Sequence, residues 1–457
     1  MMAVRFGAAR QRPAFCPWQA RHVQSHCKLR HLPRRRSGRA EACPCPFPCM
    51  SAQPLGHDPF RPSSTRPSGS SNSAERGPRH SAKMAFVLRH HFLSRGLRPF
   101  AVVACMALVF SESVAAATKV GFIGLRHGHA WRQLSEISDI NEADFVGVAE
   151  SIPGLVEAAK EIQPNARYGT DYRAFVNETQ PEIVWAFVEN NRHLEIVEFL
   201  APLGIHVIFE KPLAGSYADA LRIRELATRH GIEVMTNYQM AWWAANHQLR
   251  RMVSDGSIGK VWRLHGVVGN PGPAPRDLRR KVFFDWLTDP DANGGGALID
   301  FGIYSATWAI WHLGLPQSVY ATVSQLQPGR FPKVEDNAVF VLAYPDAVGI
   351  FEASWDLPRG FQHLEVFGLD GSLSLARDSL TIQAKRNAAT PVNSTPLAPV
   401  ASHPVRYMID RVTSRQPLEH IVALDLNVDA VQILEAAKLS ASEQRPVKLP
   451  LPAPARD

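Results

Sequence analysis

Beyond residue 117 the chain of 457 residues contains no cysteine; Cys16, Cys27, Cys43, Cys45, Cys49 and Cys105 all precede it. That excludes a disulfide scaffold and a catalytic thiol from most of the chain, and suits an oxidising compartment without requiring one. The run CPCPFPC (43–49) is interleaved with proline and has no paired downstream cluster, so it makes a poor zinc site. Long apolar runs are also missing. PFAVVACMALVF (99–110) is about half of what a membrane span needs, so no permanent span is expected. There are no internal repeats. Acidic residues are scarce only at the start. Residues 1–117 hold 18 Lys/Arg and 4 Asp/Glu, leaving 32 of the chain's 50 basic and 38 of its 42 acidic residues downstream. The formal +8 therefore belongs to the leader, and no nucleic-acid partner is expected for the rest.

Residues 1–83, rich in Arg, Pro, Ser and Gly without a period, read as a disordered leader or as sequence upstream of the true start. Residues 84–117 have the layout of a secretory signal peptide: Arg89, Arg95 and Arg98, the apolar run, then SVAAA with cleavage near Ala117. A periplasmic or secreted protein is expected. The alternatives are a cytoplasmic protein with a buried helix here, or a lipoprotein anchored at Cys105.

From Thr118 short apolar runs alternate with amphipathic stretches. KVGFIG (119–124), DFVGVAE (144–150), EIVWAFV (182–188), HVIFE (206–210) and IEVMTNY (232–238) predict strands. Helices are predicted from about His129 and over 153–162, 191–203, 216–230 and 243–254. This is the pattern of a doubly wound parallel α/β sheet, assigned to 118–240, with ligands beyond the carboxyl ends of its strands. After SDGSIGKV (254–261) the texture changes. KVWRLHGVVG, SVYATVSQL, NAVFVLAY, AVGIFEAS, HLEVFG and LTIQAK are strand-like, with one clear helix at 300–313, a long excursion at 386–418 and a last helix at about 419–442. A second, α+β domain with a largely antiparallel sheet is expected over 241–457.

GFIGLRHGHAW (121–131) follows the first strand and is a damaged dinucleotide fingerprint. Gly124 supplies the tight turn, but G-x-G-x-x-G wants glycine where Arg126 and His129 stand, and Gly128 is one place early. Arg126 limits close backbone approach to a pyrophosphate, although its side chain can contact phosphate itself. Glu150, 26 residues after Gly124, ends the second strand and can accept from both ribose hydroxyls. A carboxylate there repels a 2′-phosphate, so NAD is expected in preference to NADP. His127 and His129 either cap the helix start or touch the cofactor. With no carboxylate beside them at ligand spacing, no metal is expected.

IFEKPLA (208–214) places Glu210 and Lys211 at a strand's carboxyl end, with Pro212 fixing the backbone behind them. GGGALIDFGIY (294–304) leads from a flexible glycine run into a helix that carries Asp300 and Tyr304 at i and i+4, hence on one face. A nearby ammonium lowers a phenol's pKa, which would suit Tyr304 to acid–base work. The plainer reading is an N-cap and a packed ring.

These stretches in this order, with SDGSIGKV and a Trp-rich helix, resemble the Gfo/Idh/MocA oxidoreductases over about residues 118–440. Asn190 and His193 of VENNRH match that family's T-P-N-x-x-H pattern in part, with Val188 and Glu189 replacing Thr and Pro. The resemblance implies a nicotinamide cofactor on a Rossmann domain, with Gly124, Arg126, His127, Gly128, Glu150, Asn190, His193, Glu210, Lys211 and Pro212 around it. It also implies a C-terminal mixed sheet forming the substrate face and often a subunit interface, hence a homo-oligomer. Tyr304 stands where many members have His, as in the glucose–fructose oxidoreductase and dihydrodiol dehydrogenase branches. The expected roles are Tyr304 as acid/base, Lys211 as its electrostatic partner and Asp300 as a substrate hydrogen-bond acceptor. The expected substrate is sugar-like. Tyr238 and Gln239 would border the pocket, Trp242 and Trp243 stack on a sugar or pack, and Arg276 or Arg279 meet an acid group or stay solvated. An NAD-relay glycosidase and a non-catalytic sugar-binding protein are the rival readings.

Overall fold

The computed structural model describes residues 116–453. The stretch read as a leader (1–83) and that read as a signal peptide (84–117), up to residue 115, lie outside the described residues. Six parallel strands come first: β1 (Thr118–Ile123), β2 (Ala143–Ala149), β3 (Tyr168–Gly169), β4 (Ile183–Ala186), β5 (His206–Glu210) and β6 (Val234–Asn237). Their order, β3-β2-β1-β4-β5-β6, reverses direction between β1 and β4, and a crevice opens above such a reversal. The connections are α1 (Ala130–Glu136), α2 (Pro153–Lys160), α3 (Tyr172–Thr179), α4 (His193–Leu200) and α5 (Tyr217–His230). β4 is buried at every position, as a central strand covered on both faces must be.

After α6 (Ala244–Ser254) the chain enters β7 (Val261–Gly269), α7 (Leu278–Leu287), α8 (Pro290–Asn293) and α9 (Ala297–Leu313). Then follow β8 (Ser318–Ser324), β9 (Asn337–Ala343), β10 (Val348–Ser354), β11 (Phe361–Gly368), β12 (Gly371–Ala376), β13 (Ser379–Ala384) and β14 (Thr390–Val392). The chain ends in α10 (Pro404–Ser414), α11 (Leu424–Glu443) and β15 (Val447–Lys448). The second sheet has the order β14-β13-β12-β11-β7-β10-β9-β8-β15. It is antiparallel except where β10 lies parallel to β7, a pairing the long α7–β9 connection makes possible. The expected fold class is what the structure shows: a parallel doubly wound sheet followed by a largely antiparallel one.

Several elements escaped the sequence reading. β3 is two residues long, and α3 opens on Asp171, whose side chain accepts from Arg173 N–H. The basic stretch read as a loop contains α7, capped by Asp277, and the excursion at 386–418 contains α10 behind His403 and Pro404. Among the described residues no helix is long and apolar enough to cross a membrane.

α9 and α11 cover the inner face of the second sheet, and α11 also packs on α5. α9 is buried nearly all round, which explains its lack of amphipathic period. The glycine run before it is tightly packed, contrary to the flexible run expected. A side chain on Gly296 would lie 2.0 Å from Glu335 O, and one on Gly294 2.4 Å from Gly215 O. Behind the crevice, Tyr238 donates to Asn427 Oδ1 (2.6 Å), and Asn427 Nδ2 donates to Ile421 O (2.8 Å) and Ala423 O (2.9 Å). All three bonds lie in or against the core, so Asn427→Leu strands the buried Tyr238 O–H and the Ile421 carbonyl, while Ala423 O keeps the backbone N–H of residue 427. We expect it to cost about 2–4 kcal/mol, at roughly 1–3 kcal/mol per unsatisfied group, read as a lower urea midpoint.

Candidate active site

The carboxyl end of β5 meets the first turns of α9. Lys211 Nζ donates to Asp300 O (2.8 Å) and is ion-paired with Asp300 Oδ1, while Trp355 Nε1 donates to Asp300 Oδ2 (2.8 Å). Lys211 and Asp300 are each 6 % exposed. Each Asp300 oxygen holds one bond within the protein, so Asp300 is the lysine's counter-ion while it also lines the cavity. An ammonium has three N–H groups, and Lys211 keeps one beyond its two bonds to Asp300.

Tyr304 lies one turn along the same face, its ring centroid 5.3 Å from Lys211 Nζ. Burial, with the Asp300 and Glu210 charges, holds its phenol well above the usual 10. The expected lowering by Lys211 fails because Asp300 neutralises that ammonium. Tyr304 is therefore a protonated donor at neutral pH, and its hydroxyl makes no hydrogen bond to any described residue. It faces a cavity of about 310 Å³ together with His127, His129, Lys211, Gln239, Asn270, Phe283, Phe301, Gln362 and Arg377.

At the other end of the crevice Gly124 has φ +77°, and a side chain there would lie 2.7 Å from Val188 Cγ1. Glu150, 2 % exposed, accepts from Leu125 N–H (2.7 Å) and Ile152 N–H (2.8 Å). Arg126 reaches across from β1 to the end of β4. Nη1 pairs with Glu189 Oε1, Nη2 donates to Ser151 Oγ (3.0 Å), and Nε lies 3.8 Å from Glu150 Oε1. The guanidinium expected to meet phosphate is thus held by two carboxylates. Two of the departures from the family pattern, Arg126 for glycine and Glu189 for proline, are each other's partners.

His127 is buried, and its Nδ1 accepts His129 N–H (3.1 Å). Burial, then the nearby His129, Lys211 and His193, depresses its pKa well below 6.5. His129 Nδ1 lies 2.9 Å from Glu210 Oε2, whose other oxygen accepts from Asn237 Nδ2 (2.9 Å). The absence of a nearby carboxylate, inferred from local spacing, is corrected here: Glu210 arrives 81 residues later. His127, His129 and Glu210 bring their donor atoms within 4.8 Å of one another. However, the lone pair on His127 Nδ1 is taken by an amide, which leaves the ring proton on Nε2, and the other two groups bind each other.

Asn190 and His193 do not face the cavity. Asn190 Nδ2 donates to Asn293 Oδ1 (2.7 Å), and His193 donates from Nδ1 to Leu213 O (3.0 Å) while stacking on Phe209 at 4.1 Å. His193 braces the loop that carries Lys211 and the buried Pro212, and Asn190 ties the end of β4 to Asn293 before the glycine run. Gly128 is exposed beneath Phe283. Tyr238 lies behind the pocket, Gln239 lines it, and Trp242 donates to Asn237 Oδ1 (2.9 Å). Arg279 packs on Trp131, 4.0 Å from the ring centroid, and donates to Ala158 O (3.2 Å), so it binds α7 to α1 and α2. α7 also brings Phe283 edge-on to His127 (5.0 Å) and the Trp286 indole to Arg126 O (3.1 Å). Phe283, Trp286, Glu189 and Arg377 were missed; the Asp277 cap before LRRKVFFDWL was the one local signal available.

Two measurements follow. Asp300→Ala leaves a buried ammonium unpaired, and we expect a loss of about 3–5 kcal/mol in denaturant unfolding. Burial holds His193 at about 4 and His312 at about 3, against 6.5 for a free imidazole. The unfolded chain then takes up more protons as pH falls, so their stabilisation is whole above about 6.5 and is lost towards 4 and below. Urea midpoints should drop over that window, by up to about 1.4 kcal/mol per pH unit per histidine.

Residues 119–238 match the model of the oxidoreductase family with an NAD-binding Rossmann fold, and residues 246–374 match that of the GFO/IDH/MocA C-terminal domain. A dTDP-3,4-didehydro-2,6-dideoxy-α-D-glucose 3-reductase of Saccharopolyspora spinosa is 27% identical over 208 residues, 45% of this chain and 59% of that protein. The D-glucoside 3-dehydrogenase of Escherichia coli (strain K12) is 28% identical over 178 residues, 38% of this chain and 48% of its own. The chain thus spans about half the length of these curated relatives. The aldose–aldose oxidoreductase of Caulobacter crescentus, solved with glycerol, shares the fold at a TM-score of 0.64 and 23% identity, over 73% of this chain and all of its own. With both of its sheets matched by models of one family, the chain belongs to the Gfo/Idh/MocA oxidoreductases.

Proposed function

We propose that the protein is an NAD-dependent oxidoreductase acting on a carbinol of a sugar or polyol. The observation that carries this reading is the pairing of a buried Lys211 with an unpartnered Tyr304 hydroxyl at the mouth of a cavity of monosaccharide size. The two curated relatives named above act on sugars, and the N-terminal family model is that of an NAD-binding fold.

The chain's residues fit a dinucleotide. Each Glu150 oxygen holds one amide bond and keeps a lone pair, so the carboxylate can accept ribose hydroxyls and would repel a 2′-phosphate. Gly124 lets the turn after β1 pass close against Phe187 and Val188 at the end of β4. When bound, the nicotinamide supplies the hydride acceptor or donor. Lys211 and Tyr304 then hold the reacting oxygen with two N–H and O–H donors. Tyr304, which stays protonated, donates a hydrogen bond to that oxygen in both directions of the reaction, and Asp300 keeps Lys211 oriented. Phe283, Phe301 and Leu287 narrow the cavity and exclude water.

Export through the segment at 84–117 remains part of the proposal. It calls for a cofactor retained by the protein, since NAD is scarce outside the cytoplasm. A homo-oligomer through the second sheet is supported by its outer face, where Trp262, Tyr320 and Val339 are 40–45 % exposed.

Protein beginning at Thr118 should release nicotinamide nucleotide on acid denaturation or gain thermal stability with NAD, more than with NADP. Well-folded protein that does neither sinks the enzyme readings and leaves a sugar-binding protein. Given bound NAD, free sugars against nitrophenyl glycosides separate a dehydrogenase from a relay glycosidase. Tyr304→Phe should lower kcat by about 10²-fold or more with NAD affinity kept.

A further inference from the structure

If Tyr304 is a protonated donor and Lys211 is locked to Asp300, oxidation of a carbinol lacks a proton acceptor. The first turn supplies one. His129 projects from the start of α1 with its side chain 32% exposed, and it lines the same cavity as Lys211 and Tyr304. Its Nδ1 faces the buried Glu210 carboxylate at 2.9 Å. A carboxylate has no proton to give, so the ring donates from Nδ1, and Nε2 of the neutral imidazole carries the lone pair. The contact on that side agrees: Gln239 Nε2, an amide donor, is the group facing His129 Nε2, at 3.4 Å. This contact is long and solvent-accessible, so a substrate hydroxyl can displace it.

We propose that His129 is the general base of the oxidation, with Glu210 as its positioning residue. This rests on the dehydrogenase reading above. The substrate O–H bond breaks and an N–H bond forms at Nε2. The O–H electron pair becomes the second bond of the new carbonyl, and the hydride leaves carbon with its own pair for the oxidised nicotinamide. The imidazolium formed is stabilised by Glu210, the base–orienter logic of a catalytic dyad.

The titratable and charged groups around His129 come from several elements: Glu210 and Lys211 from β5 and its loop, His127 from the turn, Arg132 and Glu136 from α1, Asp300 and Tyr304 from α9, Arg377 after β12, His403 from the start of α10, and Arg276, Asp277, Arg279 and Arg280 from the start of α7 and the loop before it. His127 is held well below 6.5 and His403 at about 4, both by burial first, so neither competes as the acceptor near neutrality.

The test uses protein from Thr118 with NAD and whichever of D-glucose, D-xylose, myo-inositol and methyl β-D-glucoside it oxidises fastest. We expect His129→Asn to lower kcat by about 10²–10⁴-fold, to abolish the acid limb of kcat against pH, and to regain rate with added imidazole, NAD affinity being unchanged. Glu210→Gln should move that limb to lower pH. Nitrogen-15 spectra of the wild-type protein without cofactor should show Nδ1 protonated and Nε2 bare in neutral His129. A proton on Nε2, or an unchanged acid limb in an active His129→Asn, overturns the assignment alone. Failure of the wild type to bind NAD overturns the dehydrogenase reading and this inference with it.

Discussion

The buried pair of Lys211 and Asp300 is the constraint around which the rest of the site is arranged. It joins the end of a parallel strand to the first turns of the helix that backs the second sheet, and Trp355 anchors the aspartate from the end of β10. Two charges taken out of water need good geometry and further hydrogen bonds; Trp355 supplies one to Asp300, and the third Lys211 N–H is left towards the cavity. The pair also sets the phase of α9. With Asp300 turned to Lys211, the residue four places on must look the same way, which puts Tyr304 against the cavity.

The same pair determines the protonation states nearby. A free ammonium would have pulled the Tyr304 phenol down; a compensated one leaves burial to push it up. His127 and His193 are driven towards the neutral form by the same burial. The crevice floor therefore combines neutral donors and acceptors in fixed orientation with the Lys211–Asp300 pair, the Glu210 carboxylate and the Arg377 guanidinium. Such a floor orients a polyhydroxylated guest by hydrogen bonds.

Much of this was legible in the sequence where the signal was local. Buried parallel strands announced themselves as apolar runs, the second sheet by alternation, and the i, i+4 relation of Asp300 and Tyr304 by helical period. What was not legible depended on partners far along the chain. The partners that hold Asp300, Asn190 and His193, namely Lys211, Asn293 and Leu213, lie 89, 103 and 20 residues away, beyond what local spacing reports. α7 was hidden for another reason: its exposed face is strongly basic, and its apolar residues serve two different neighbours, so no single stripe emerges. The glycine run before α9 looked flexible because composition does not report what packs against a missing side chain.

The Arg126–Glu189 bridge gives the nucleotide turn a different kind of closure from that of its relatives' pattern. A glycine turn fits by shape and is indifferent to the medium. An ion pair in which Arg126 is one-fifth exposed is screened by dissolved salt, whose reach at physiological strength is about 8 Å. The cohesion between the ends of β1 and β4 is thereby coupled to ionic strength. Each member also has a second ionic neighbour, Glu150 for Arg126 (3.8 Å) and Arg192 for Glu189 (3.6 Å), so the bridge belongs to a short chain of charges rather than to an isolated pair.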